Sequence, residues 1–209
     1  MRFKKRNTVI SIVENETLHF VEVGPRGKKK AVESVKLTDL LVDDADTNII
    51  PFPAKNRANK LLIVPDYWFG NLVCKFQSMK KSLADAFVER KLHAQFEQLP
   101  DVRNFFENIA FQREHKKRWL YAYFLQDPQF FQLYKTLSRL GLTPQRITSP
   151  ALIWQSKIRQ KMPDFEDSGK CFIELLHNIY HLYFFFEGNF LFSRSIPLAD
   201  LPADSPDNL

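Results

Sequence analysis

A chain of 209 residues, 44% hydrophobic and 26% charged, is long enough to bury its own core and too apolar to remain a solvated coil, which excludes wholesale disorder. No run approaches the roughly 18 apolar residues of a membrane-spanning helix, and no signal-peptide stretch follows the basic start before Glu14 and Asn15 interrupt it, so a soluble, non-exported chain is expected. The net charge of +6 gathers at Arg2, Lys4, Lys5 and Arg6, at Lys28, Lys29 and Lys30, and at Arg113, Lys116, Lys117 and Arg118. These clusters read first as solvated tips, next as contacts to an anionic membrane surface at about 1 kcal/mol per basic residue, and only third as a nucleic-acid footprint.

Twenty phenylalanines, several in pairs or triplets, predict a core filled with rings. The two cysteines, Cys74 and Cys171, are each flanked by apolar residues and read as buried thiols in a reducing compartment.

Along the chain, residues 8–13, 17–23 and 29–37 are β-rich runs separated by Glu14-Asn15-Glu16 and by the turn at Gly24-Pro25-Arg26-Gly27, which predicts an antiparallel meander. Residues 43–59 read as a connection, and 61–65 and 72–76 as two more strands joined through Asp66 to Gly70. Ser82 with Asp85 resembles a capping box opening a helix that carries Leu83, Phe87, Leu92, Phe96 and Leu99 near one face and ends at Pro100. Residues 106–113 and 118–125 form a hairpin around a basic tip. Asp127-Pro128 then starts a helix that Gly141 stops, and Ser149-Pro150 starts a third that ends before Pro163. A second meander occupies 170–176, 179–186 and 189–196; its middle strand is apolar on both faces and is expected to be central and covered on each side. The tail 201–209 has linker composition.

Catalytic chemistry is hard to find in these residues. A loop that wraps phosphate needs backbone without side chains, and the chain has six glycines. Asp167-Ser168-Gly169-Lys170 ends like a phosphate loop but lacks its first glycine, where Asp164 stands. His177 and His181 would share a metal on a helix, yet at a strand start they are ~13 Å apart. Glu22, Glu33 and Glu174 could meet around magnesium only if the fold gathered them. No serine or cysteine stands in a recognisable nucleophile setting.

Several strings resemble the actin-like ATPase fold of the type IV pilus assembly PilM family and of the type II secretion L-protein cytoplasmic domain. Residues 171–196, CFIELLHNIYHLYFFFEGNFLFSRSI, are similar to that family's second phosphate segment and its following hairpin, with Phe192-Ser193-Arg194-Ser195-Ile196 matching the close. The helix from Pro128 to Leu140 with Gly141-Leu142, the string from Ile147 to Leu152, Val64-Pro65-Asp66, and the stretch ending at Glu22 resemble other landmarks. The resemblance also exposes departures. Glu174 takes the acidic position of the second segment, but Leu176 replaces the glycine, with Ile179 and Tyr180 in place of the threonine turn. In the first segment the family's aspartate and glycine fall near Ser11 and Val13.

The expected fold is therefore α/β, actin-like (ribonuclease H-like), truncated or minimal, with mixed sheets built from β-meanders and flanking helices. A β-rich part over 1–79, an α/β part over 80–200 and a tail over 201–209 divide it. The resemblance implies a non-enzymatic scaffold without cofactor or metal, cytoplasmic at the inner face of the bacterial inner membrane. Its partners would be inner-membrane pilus or secretion assembly proteins and an assembly ATPase; nucleic acid is not among them, and a homodimer is left open. Trp68, Phe69 and Trp154 are candidate partner anchors, with core packing the heavier reading. Arg2, Lys4, Lys5 and Arg6 are the candidate membrane-surface residues. An active ATP-binding actin-like protein and a nucleic-acid-binding protein are the alternatives.

Overall fold

The computed structural model describes residues 7–41, 58–76, 81–95, 107–114, 117–166, 169–176 and 178–200. It divides into two compact units, each assembled from three stretches: Met1–Gly70, Met79–Ile109 and Ala122–Pro150 in unit 1, and Asn71–Ser78, Ala110–Tyr121 and Ala151–Leu209 in unit 2. This division follows contacts, whereas the division expected near residue 79 follows chain order.

Unit 1 is organised by a five-stranded sheet. Strands β1 (Thr8–Glu14), β2 (Thr17–Val23) and β3 (Lys29–Lys36) form the expected antiparallel meander. Strand β4 (Asn59–Ile63) adds in parallel beside β1, and β8 (Arg146–Thr148) adds in parallel beside β4, giving the order β3-β2-β1-β4-β8. Alternation decides what is buried: Val9, Ser11 and Val13 of β1, and Leu18, Phe20 and Glu22 of β2, share the inner face. A one-turn helix, α1 (Leu37–Leu40), follows β3 and buries Leu37 and Leu40.

Helix α3 (Pro128–Arg139) covers that face with Phe130, Leu133 and Leu137, and Trp68 lies edge-to-face against Phe130 at 6.5 Å between ring centroids. Its start is the one read from the sequence: the Asp127 carboxylate accepts from Gln129 N at 2.8 Å, with proline at the first helical position. Its stop is Gly141, held at φ +69°, where the Leu142 N–H donates back to the Leu137 carbonyl at 2.7 Å. Burial of each such leucine or phenylalanine contributes about 1.5–3 kcal/mol, so this helix-on-sheet layer is the main source of the unit's stability.

The helix expected after residue 80 is α2 (Lys81–Gln95). It begins at Lys81, so Ser82 lies inside it rather than capping it, and the buried pair is Val88 and Leu92 while Leu83 is exposed. Of the expected stripe, Leu92 is thus buried as read and Phe87 is half-buried. Phe96, Leu99 and Pro100 lie outside the described residues, as does most of the connection expected over 43–59. Strands β5 (Phe69–Phe76), β6 (Glu107–Glu114) and β7 (Lys117–Leu125) form a sheet of order β5-β7-β6.

Unit 2 contains α4 (Pro150–Lys161) and the second meander, β9 (Gly169–Leu176), β10 (Ile179–Phe186) and β11 (Asn189–Pro197), with β10 central. Helix α4 buries Ala151, Leu152, Gln155 and Ile158. The Gln155 side-chain oxygen accepts from Phe190 N at 3.3 Å, and Arg159 donates to the Gly188 carbonyl at 2.7 Å, which ties the helix to the β10–β11 turn. Between them the rings of Phe165, Phe172, Phe185 and Phe190 pack at centroid distances of 5.3–6.0 Å. The ring-filled core read from composition is present here.

Two expectations fail in this unit. The middle strand is central, but the sheet's outer face is uncovered at its flanking strands, where Cys171, Ile173 and Leu175 of β9 and Phe192 of β11 are exposed, while Tyr180, Leu182 and Phe184 of β10 are half-buried. Cys171 is a free, exposed thiol rather than a buried one, since it points to that uncovered side. The Cys74 side chain lies outside the description.

Candidate functional site

In the resemblance, the two hairpins that would wrap a nucleotide's phosphates are β1–β2 and β9–β10. The first closes with Glu14 opposite Thr17, leaving Asn15 and Glu16 as a two-residue loop with both φ angles positive (46° and 59°). That backbone is the tight turn whose twist matches the flanking strands. Val13 pairs with Leu18 and is buried in the core of unit 1, and Ser11 is buried beside Leu62. Neither position offers an acidic oxygen, and Val13 fills its place with a packed side chain.

The second hairpin pairs Leu176 with Ile179, and Asn178 in its loop has φ +61°. Leu176 is an exposed side chain at the end of its strand. Glu174, the one acid on this hairpin, accepts from the Tyr183 hydroxyl at 3.2 Å. Both hairpins therefore carry a branched apolar side chain where the resemblance expects glycine, and a phosphate needs open backbone N–H groups there.

The remaining candidates have identifiable occupations. Lys170 of the incomplete phosphate loop pairs with Asp164 at 3.4 Å. Glu22 is buried and accepts from the Asn7 amide at 2.6 Å. Glu33 is exposed on β3, in unit 1, and Glu174 belongs to unit 2. His177 lies outside the described residues, as do Arg2, Lys4, Lys5 and Arg6.

Of the proposed partner anchors, Trp68 is 1% exposed and belongs to the core of unit 1, so its role there is packing. Phe69 is half-buried against the same core. Trp154 is 39% exposed on α4, with the Lys157 ammonium 5.7 Å from its ring centroid. It is the one indole of the two that presents a surface.

Tyr67, beside Trp68, was missed by the sequence reading. Its side chain is 71% exposed. Partial desolvation of the phenol, then the charge of Asp127 and that of Glu16, raise its pKa above the ordinary 10.0. The structure also brings His181 Nδ1 within 3.0 Å of Ser195 Oγ, with Glu174 directly across from His181 on β9. Cross-strand register alone makes this row, which pairwise sequence spacing does not reveal. Its ring nitrogen and hydroxyl satisfy each other on an open sheet, and the same pairing recurs between His19 and Ser34 at 2.7 Å in unit 1.

The mixed five-stranded sheet, with a meander followed by parallel additions and a second meander after two helices, is the feature that decides the comparison. A chain of the PilM-PilN type IV pilus biogenesis complex superimposes with a TM-score of 0.57 and 13% sequence identity, over 94% of this chain and 64% of that one. The cytoplasmic domain of EpsL, an inner-membrane component of the type II secretion system of Vibrio cholerae, gives 0.51 at 5% identity, over 91% of this chain and 71% of that one. The fold is that shared by this PilM-PilN complex chain and the EpsL cytoplasmic domain. It is the actin-like α/β fold that the sequence resemblance led one to expect. A protein of actin-like ATPase fold and unknown function from Bacteroides thetaiotaomicron also aligns, with a TM-score of 0.47 and 13% identity, over 92% of this chain and 70% of that one. No protein-family model matches the sequence, and no curated protein matches it. The chain spans somewhat under two thirds of the PilM-PilN chain it resembles. Among the described residues, no helix is long and apolar enough to cross a membrane.

Proposed function

We propose that the protein is a non-catalytic scaffold of a bacterial type IV pilus or type II secretion assembly platform, cytoplasmic at the inner face of the inner membrane. It binds membrane assembly proteins and does not turn over nucleotide. The observation that carries this reading is the conjunction of an assembly-platform fold with Val13 and Leu176 at the two hairpin positions where phosphate needs bare backbone. One side chain in such a place weakens a nucleotide site, and both together leave no backbone cradle on either side of a triphosphate.

Partner recognition is assigned to Trp154 on α4, where an exposed indole flanked by a lysine offers an amphipathic anchor. The basic N-terminal residues Arg2, Lys4, Lys5 and Arg6 supply attraction to an anionic bilayer, worth about 1 kcal/mol each near its surface.

Isothermal titration with ATP and magnesium tests the nucleotide half of the proposal. No heat at millimolar ligand is expected, and micromolar binding would overturn it. Mild crosslinking in the native cell followed by purification tests the partner half. Enrichment of inner-membrane pilus or secretion proteins is expected, and recovery of none refutes the scaffold role.

A further inference from the structure

The five-stranded sheet of unit 1 ends in two unlike edges. At one, β8 has three residues, too few to template another strand, whereas β3 at the other has eight and contains no proline. Its register shift lies at its start, where Val23 pairs with Lys29 and Glu22 with Ala31, and from Ala31 to Lys36 the edge runs regularly. Neighbouring bonds fix which way each peptide group points. The Leu37 N–H donates to the Glu16 carbonyl at 2.8 Å, so Val35 and Glu33, two and four residues earlier, also direct their backbone groups at β2. Val32 and Ser34 alternate with them and turn N–H and C=O away from the sheet, and among the described residues no strand beyond β2 pairs with β3. The Val32 side chain is 43% exposed beside Val21, and Ser34 Oγ lies 2.7 Å from His19 Nδ1.

We propose that β3 is a docking edge for an extended acidic segment of a partner protein, which adds to this sheet as a further strand. Charge selects that occupant. Residues 25–36 carry five basic side chains, Arg26, Lys28, Lys29, Lys30 and Lys36, against a single acid, Glu33. Arg26, Lys28, Lys29 and Lys36 are exposed. Lysines on an edge ordinarily discourage pairing, because an incoming strand strips water from ammonium groups that it leaves unpaired. That protection is selective. A second copy of β3 sets lysine against lysine, whereas a strand bearing carboxylates replaces the lost water with ion pairs. Lys29 and Lys36 stand about 23 Å apart along a strand, so the complementary segment has carboxylates near both ends and a β-branched residue opposite Val32.

Recognition then has two separable parts. Backbone bonds to Val32 and Ser34 supply affinity for any extended chain, and the flanking lysines discriminate by charge. The inference stands on the unit 1 sheet alone and does not depend on the scaffold reading, the hairpin substitutions or Trp154.

Fluorescence anisotropy of the full chain tests it, with a short labelled peptide carrying glutamate at both ends and valine and threonine between. A Kd of about 10–100 μM in about 50 mM salt is expected, weakening at least about fivefold in about 0.5 M salt. A lysine-ended peptide should bind at least about tenfold more weakly. No binding at about 1 mM peptide, or equal binding of the two peptides, overturns the proposal. Ser34→Pro deletes an outward N–H without touching the β2 ladder and should weaken binding at least about tenfold, while Ser34→Ala loses only the hydroxyl and should bind as wild type. Unchanged binding to Ser34→Pro means adsorption by charge alone and refutes strand addition. Lys29→Glu with Lys36→Glu should switch the preference to the lysine-ended peptide, and a retained preference for glutamate places the site elsewhere. Hydrogen exchange reads the contact directly. The Val32 and Ser34 amides should exchange quickly in the unbound protein and slow on adding peptide, with Glu33 and Val35 slow throughout. Val32 and Ser34 amides that are slow without peptide belong to an edge already covered, which also overturns the proposal.

Discussion

Replacing Gly70 by alanine probes a close backbone-to-ring approach in unit 1. A Cβ at that position would lie 2.4 Å from Phe124 Cζ and 2.7 Å from Phe124 Cε2, and also 2.7 Å from the Gln126 side-chain oxygen. Gln126 is exposed and its end can swing away, but the Phe124 ring is fully buried. Carbon atoms pack best at about 3.5–4.0 Å, so the ring or the strand must shift by more than about 1 Å. Overpacking of this kind costs about 1–3 kcal/mol, and the reduced freedom of the unfolded chain returns about 0.4–1 kcal/mol. A net loss of about 2 kcal/mol is expected. With a urea m-value of about 2 kcal/mol/M, the midpoint falls by about 1 M. Fluorescence of Trp68, buried in the same unit, follows the transition. Phe124→Leu removes the atoms that clash, so the double variant should be more stable than the sum of the single changes by more than about 1 kcal/mol. An unchanged midpoint for Gly70→Ala, or strict additivity in the double variant, would refute the steric argument.

Loss of the α3 cap in Asp127→Ala should cost about 1 kcal/mol in urea unfolding, while Asp127→Ser should stay within a few tenths of wild type. Tyr67 should titrate at 295 nm above the ordinary 10.0, and Asp127→Asn, which removes the second of its three raising causes, should bring the midpoint down. Because the folded state holds the neutral phenol more tightly, the associated stability is complete below about pH 10 and is lost as pH rises through the folded pKa. A fluorescence-monitored melt across pH 9–12 gives the sign, and stability that rises over this window contradicts it. Trp68→Ala should cost about 3–5 kcal/mol as a core truncation, whereas Trp154→Ala should leave stability within about 0.5 kcal/mol and weaken capture of the membrane partner at least about tenfold.

Much of this architecture was legible because local chemistry and tertiary context agree. Asp127-Pro128 and Gly141 bracket α3 as read, since a cap, a fixed φ and a left-handed stop act within a few residues. The hairpin turns were equally local. What escaped the sequence depended on which face another element covers. Cys171 and Ile173 sit in an apolar run, and only the cross-strand register, which puts them on the face opposite the Phe172 and Phe185 rings, separates them from the core. Leu83 was misjudged for the same reason, because Val88 and Leu92 satisfy the inner face of α2. Trp68 and Trp154 look alike in sequence, yet one closes a core and the other stands on a helix surface. At the hairpins, Val13 and Leu176 were readable as substitutions through the resemblance, but the burial of the first and the exposure of the second came from the sheet each belongs to. The row of Glu174, His181 and Ser195 was invisible, since it exists only in cross-strand register.

The interleaving of the two units has a consequence for how the chain matures at the ribosome. All segments of unit 1 have been synthesised once residue 150 has emerged, whereas unit 2 waits for 151–209. Its earlier pieces, 71–78 and 110–121, need not wait as bare strand edges, because β5, β7 and β6 can pair as soon as residue 125 has emerged. That early sheet would shelter sticky backbone until the last helix and meander arrive, and stalled chains just long enough for residue 125 to have left the exit tunnel are where its protection from protease should first be seen.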